Sequence, residues 1–384
     1  MSSPVAARAA YATLFGAVGA SFPYLPVYYR SAGLSLAEIG LLSSAAAAVG
    51  LVTAPIWGTL ADRYPRSRLI IPAAASIAAL AALALALARQ PIAIAAAAIA
   101  ISAATAGISP VLDARALEMV ADDRQRYGRL RVWGSISFVI AVWITGFIVE
   151  RAGIASLFAV YVPLLVLTAI VALLLRGSGR VTPPLPRLTG IGLVLGEPTL
   201  RRFLIAALVG WAASMAVNGF LSIHLVAIGA PGELVGSAWA IGAIVEIPIM
   251  WAYPWLVGRF GTRSLLIGGA GALALRAVAI SLLTDPVAAA ATMLLHGVGF
   301  ALLLVGGVTY ASRHAPSGTE ATAQGVLTAV VFSLAMILGH GIGGLAAGIV
   351  GLPAMFGIAA AGSVAAVLFV GVATDERPAT VPAR

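Results

Sequence analysis

The stretch AIGAIVEIPIMWAYP, residues 240–254, is apolar except for one carboxylate, Glu246, near its middle. A charge in such a run is costly wherever the run is buried, so its surroundings must say what kind of chain tolerates it. The 384 residues are 61% hydrophobic and only 10% charged, with a mean hydropathy of +1.03. A soluble domain is roughly half apolar and about a quarter charged. This composition is that of a polytopic membrane protein, and Glu246 then lies inside the bilayer.

The other bulk properties exclude several function classes. There is no Cys, so disulfides and thiolate metal sites are excluded. Four His without a local ligand cluster argue against a metal centre, and no cofactor is expected. All 23 basic residues are Arg, and the pI is near 10.6. That balance invites a nucleic-acid reading, but the Arg residues sit in short loops between apolar runs, where they orient a membrane protein instead. Arg8 precedes a mostly apolar stretch too long for a leader core, so the N-terminus is read as a first span and not as a cleaved signal.

A helix crosses the hydrocarbon layer with about 20 apolar residues. Twelve such runs are predicted, near 9–29, 36–60, 69–88, 91–112, 130–149, 154–175, 203–228, 234–257, 264–283, 286–311, 321–346 and 353–373. Their Gly and Ala content suits close helix packing in lipid. Taking alternate loops, 19 Arg fall on the side that holds both termini, and only Arg30, Arg89 and Arg151 fall on the other. This bias places both termini in the cytoplasm. The longest loop, 176–202, contains RGSGRVTPPLPR and reads as a cytoplasmic linker. It separates an N-terminal bundle of six helices (1–175) from a C-terminal one (203–384). The fold class expected is therefore an all-α membrane protein of twelve transmembrane helices in two pseudo-symmetric six-helix bundles.

The halves echo each other weakly. GTLADRYPRSR (58–68) follows the second span, and PWLVGRFGTRS (254–264) follows the second span of the other half. The first of these loops resembles the signature between spans two and three of the major facilitator superfamily, G-x-L-A-D-R-x-G-R-R. Gly58, Leu60, Asp62, Arg63 and Arg66 match, while Pro65 replaces the usual Gly. As a loop alone it is equally a positive-inside anchor. YGRLRVWGSISFVI (127–140), AWAIGAIVEI (238–247), Arg276 and LLHGVGF (294–300) narrow the resemblance to the phenylpropionate-permease-like branch, whose relatives include lactose and nucleoside proton symporters. The resemblance implies two bundles that rock about a central site. It also implies residence in the cytoplasmic (inner) membrane of a prokaryote, with a monomer as the working unit. The partners are then a small-molecule substrate, protons and the lipid bilayer, with no nucleic acid.

Three polar groups fall in the middle third of the bilayer. Glu246 is thirteen residues from both Glu233 and Arg259, Arg276 is twelve from Ser264, and His296 is ten from Pro286. A charge at that depth costs about 2.5–3.5 kcal/mol on the insertion scale. One reading is a Glu246–Arg276 ion pair that fastens two helices. The other is a proton site, in which desolvation favours the neutral carboxyl and a guanidinium favours the carboxylate, so that moving one switches the other. His296 titrates near physiological pH and joins them. The lactose-type symporters carry a second Glu three positions after the His, and here that position is Gly299, which leaves Glu246 as the principal proton-coupling candidate.

Stripes at helical spacing surround these groups. Trp239, Glu246 and Tyr253 share one face, as do Trp211, Ser214, Asn218 and Ser222, and Ser21, Tyr24 and Tyr28. Each stripe reads either as packing or as the wall of a binding cavity. On the second reading Trp239, Tyr253, Asn218, Trp211, Tyr24 and Tyr28 contact substrate. In the N-terminal half, Ser102, Thr105, Ser109 and Asp113 form a stripe, with Arg131 as the expected partner of Asp113 in a structural or gating pair. His224 and His340 read as packing residues.

The favoured function is a secondary active transporter for a small organic solute, coupled to protons by symport. Arg276 and His296 suit an aromatic or other carboxylate. The alternative is a proton-driven exporter of drugs or metabolites on the same fold. Such exporters carry a Gly-Pro pair in span five, and GSISFVIAVWITG (134–146) holds no Pro. An enzyme is not expected, because the chain holds no HExxH, GxSxG or phosphate-binding loop.

Overall fold

A computed structural model describes residues 4–63, 67–120, 125–175 and 189–374. Among these, the secondary structure is entirely helical. Eleven helices are long and apolar enough to cross a membrane. In chain order they are α1 (Pro4–Ser31), α2 (Leu36–Ala61), α3 (Ile70–Leu87), α4 (Pro91–Met119), α5 (Tyr127–Ala152), α6 (Ile154–Ala172), α7 (Pro198–Ala227), α8 (Gly232–Leu282), α9 (Pro286–His314), α10 (Glu320–Val350) and α11 (Leu352–Ala373). A short helix, Thr189–Gly196, precedes α7 within the stretch read from sequence as a linker; residues 176–188 of that stretch lie outside the described residues.

The helix ends follow local chemistry. Ser35 and Glu38 form a capping box at the start of α2. Ser35 N–H donates to Glu38 Oε2 at 2.7 Å, and Glu38 N–H donates to Ser35 Oγ at 3.2 Å. Pro198 and Pro286 open α7 and α9, where their missing N–H groups have no helical partner to lose. Glu197 and Asp285 cap the same two ends. The turns into α6 and α11 pass through Gly153 and Gly351, both at φ 80°.

Two helices depart from regularity. α8 has 51 residues, more than one crossing of a hydrocarbon core needs, and it is kinked. Two helical stretches join in it at Gly261, whose φ of 77° and ψ of 158° are not helical. The sequence places a loop between two runs here, and Gly261 makes that turn. α10 contains a π-helical segment, Ala329–Leu334.

Packing repeats across the chain. α1 lies against α5 and α6, α2 against α4, and α3 against α4 and α6. α7 lies against α10 and α11, and α8 against α9 and α11. The first six helices meet the last five mainly through α2 with α10 and α5 with α8. Small residues permit these approaches. Gly40 on α2 meets Gly344 and the His340 carbonyl on α10, and Gly146 on α5 meets the Gly232 carbonyl at the start of α8. Two polar contacts tie the same rim. Gly232 N–H donates to Glu150 Oε2 at 2.5 Å, and Arg151 pairs with Glu233 at 2.7 Å.

Candidate functional site

Arg276 is the largest fully buried side chain of the described residues, at 1% exposure. The second stretch of α8 carries it, and its guanidinium reaches two other helices. One Nη1–H donates to Asn218 Oδ1 on α7 at 2.8 Å. Nη1 also lies 3.4 Å from His296 Nδ1, and Nη2–H donates to Met293 Sδ at 3.3 Å, both on α9. A guanidinium only donates, so the His296 contact uses the lone pair on Nδ1 and leaves the ring proton on Nε2. The Nε–H of Arg276 has no partner. Among the described residues no carboxylate pairs with this cation, so all its contacts are to neutral groups.

Glu246 lies on the first stretch of α8, one helical turn after Gly242. Gly242 packs on Met293 and His296, which brings the Glu246 face of α8 to the rim of the Arg276 group. Glu246 is partly exposed, and it makes neither a hydrogen bond nor an ion pair with the described residues. The ion pair that one sequence reading places between Glu246 and Arg276 is not formed. Asn218, His296 and Met293 occupy the guanidinium instead.

The aromatic candidates divide by environment. Trp239 joins the two halves of the chain, its indole N–H donating to Ser222 Oγ at 3.0 Å and its ring edge-on to Phe22 at 5.1 Å. Trp211 stacks edge-on to Phe300, which neighbours His296. Tyr253 is buried among Leu265 and Leu302. Tyr24 donates to the Val142 carbonyl at 2.7 Å, and Tyr28 donates to the Leu85 carbonyl at 2.9 Å. Asn218 and His296 therefore gather at Arg276, while Tyr24, Tyr28 and Tyr253 stand apart from it in helix interfaces.

A second polar group lies in the first half of the chain. Asp113 accepts from Tyr11 Oη at 2.6 Å, Tyr127 Oη at 3.1 Å and Ser109 Oγ at 3.4 Å. Arg131 makes no direct ion pair with Asp113. Its guanidinium lies over the Phe15 ring at 3.8 Å and the Tyr11 ring at 5.6 Å, so Tyr11 links the two charges. The expected pair is thus a relay through an aromatic ring, which spacing along the sequence does not reveal because α1 supplies both rings. In the loop signature, Gly58 lies in the last turn of α2, and the helix runs two residues past that apolar span to end at Arg63; Arg66 and the side chain of Asp62 lie outside the described residues. Sequence reasoning missed Met293, Tyr11 and Phe15, none of which carries a charge to mark it in an apolar run.

Comparison with known proteins fits this architecture. The profile of the MFS_1-like family matches residues 6–358. The maltose permease of Geobacillus stearothermophilus is 30% identical over 324 residues, covering 83% of this chain and 82% of that protein. A protein of Escherichia coli K12 named "Probable 3-phenylpropionic acid transporter" is 27% identical over 366 residues, covering 90% and 94%. The crystal structure of the nucleoside transporter NupG superposes with a TM-score of 0.86 over 98% of this chain and 100% of that one, at 17% identity.

Proposed function

The chain belongs to the MFS_1-like family of major facilitator transporters, and from that premise we propose that it is a proton-coupled symporter for a small organic solute. The supporting observation is the unequal pairing at mid-depth. Arg276 is a buried cation held only by neutral groups, and Glu246 is an unpaired carboxylate one turn from the same His296 contact. A proton on Glu246 and an anionic solute at the Arg276 group would together neutralise both charges. The loaded carrier then crosses between its two open states without moving a bare charge through the core.

The architecture proposed with it has twelve spans, counting α8 as two on either side of Gly261, in two bundles of six. The packing of α1 on α5 and α6 has its counterpart in α7 on α10 and α11, which supports that division. The Arg bias of the loops supports cytoplasmic termini. In that orientation the rim closed by Gly40, Gly344, Gly232 and Glu150 is the outer one. The solute site is then entered from the cytoplasm, and a monomer in the inner membrane is sufficient for transport.

The solute read from Arg276 is a carboxylate. A second reading, a neutral oligosaccharide, is favoured by the 30% identical maltose permease, and Asn218, Ser222 and Trp239 offer the hydrogen bonds and ring face that a sugar uses. Uptake by liposomes holding the purified protein separates the two. With an imposed inward proton gradient, radiolabelled aromatic and aliphatic carboxylates, nucleosides and maltose are compared. Accumulation of a carboxylate supports the first reading, and accumulation of maltose alone replaces it with the second. Proton flux evoked by drugs, with none of these solutes moved, would overturn both in favour of export.

A further inference from the structure

His340 is a buried titratable group that the site leaves unused, and both its ring nitrogens are unpartnered. It lies on the outer half of α10, where α10 meets both α7 and α2. Its ring packs on the backbone of Gly219, in the space a Cβ would fill, and its carbonyl oxygen faces Gly40 on α2. One turn further along α10, Gly344 meets the same Gly40, and on the other side Ser44 donates to the Ile337 carbonyl at 2.8 Å. The side chain is 7% exposed, and neither ring nitrogen has a hydrogen-bond partner. A neutral imidazole carries one donor and one acceptor, and the protonated ring carries two donors and a charge. The closed seam satisfies none of these. Water entering the seam would satisfy all of them.

We propose that His340 senses external protons at the outer seal: it stays neutral while α2 and α10 are packed, binds a proton from outside when they part, and so makes external acid favour the outward-open state. The inference rests on the transport reading above and adds a regulatory group to it. The sign follows from linkage, because a proton that binds one state only draws the population to that state. Among the described residues, the titratable groups on α10 and on the helices packed against it lie away from the ring: Glu320 is at the cytoplasmic start of α10, and the rim carboxylates Glu150 and Glu233 are held where α5 meets α8. On α7 the titratable residues are His224, packed edge-on to Phe356, and Arg201 and Arg202 at the far end. On α2 they are Glu38, held by Ser35 at the outer end, and Asp62 and Arg63 at the opposite one. α11 carries none, and Arg276 is reached only through Asn218, the neighbour of Gly219. An imidazole free in water titrates near about 6.5, so between about pH 7.5 and about pH 5.5 the outward-to-inward ratio rises roughly tenfold.

The chain has no native Cys, so a spin-label pair can be placed cleanly. Gln90→Cys and Thr284→Cys are exposed and stand at the outer ends of the two halves. Double electron–electron resonance on the full chain in liposomes gives the ratio of long to short distances. With Glu246→Gln present in every sample, so that the coupling carboxylate does not titrate, the parent pair should show the tenfold rise on acidification, His340→Asn should hold a nearly constant ratio, and His340→Arg should favour the long distance at both pH values. The last result moves the population in a direction that a damaged fold would not mimic. A tenfold response retained in His340→Asn, or none in the parent, overturns the proposal. Solute uptake by liposomes holding the chain with Glu246 intact keeps the readings apart: uptake with a pH-insensitive seal removes only this inference, whereas no uptake of any solute removes the transport reading beneath it.

Discussion

The two polar groups inside the bundle solve the same problem in opposite ways. In the first half of the chain, Asp113 takes three hydroxyl hydrogen bonds, and Arg131 rests on two aromatic rings. In the second half, Arg276 is more deeply buried yet meets only neutral atoms, and Glu246 has no partner. A fully bonded group gives a helix junction one arrangement. An underbonded one keeps its capacity for something that arrives and leaves. On the proposed reading that difference separates architecture from function, with the Asp113 group holding helices and the Arg276 and Glu246 group carrying transport.

Substitutions can break that contrast. The largest effect is expected at Glu246. Glu246→Gln should lower gradient-driven accumulation by about 100-fold or more, the scale of losing a proton-transfer group. Its melting temperature should stay level or rise, because the change removes a carboxylate that nothing pairs. Arg276→Gln comes next. The amide can still donate to Asn218, so the fold should hold, while half-saturation for a carboxylate solute should rise about 10- to 100-fold, the value of a charged hydrogen bond. A maltose substrate should be affected much less.

The contrast reverses in the first half. Tyr11→Phe deletes the 2.6 Å bond to Asp113, and should destabilise the protein by about 1.5–3 kcal/mol in a reversible denaturation series while leaving transport within a few-fold. Lost transport at unchanged stability would make the Asp113 group a working site too. The smallest change is expected at Arg151→Gln. Its pair with Glu233 is half-exposed, with side-chain exposures of 55% and 43%, so the cost should stay below about 1 kcal/mol by thermal melting.

Much of this was legible in the sequence for a physical reason. A bilayer span needs a long apolar run, and a charge inside one stands out, so the helices and Glu246, Arg276 and His296 could be read directly. Contacts between helices could not. Asn218 reads as a substrate residue from spacing alone, and the packing of α7 on α8 adds that its Oδ1 accepts from the Arg276 guanidinium. Asp113 and Arg131 looked like a pair, until α1 inserted Tyr11 and Phe15 between them. His340 looked like a packing residue, because the absence of a partner for its ring is a property of three helices together. The turn near Gly261 is legible as well, because the apolar runs stop short of it on both sides, and its φ of 77° and ψ of 158° are not helical.

The central claim is that Glu246 carries the coupling proton. The most direct measurement compares two modes of transport for the same solute in liposomes, with wild type beside Glu246→Gln. One mode is accumulation driven by a proton gradient, and the other is exchange of labelled for unlabelled solute with no gradient. The account predicts that Glu246→Gln loses accumulation and keeps exchange. Accumulation that survives in Glu246→Gln at the wild-type level would contradict it.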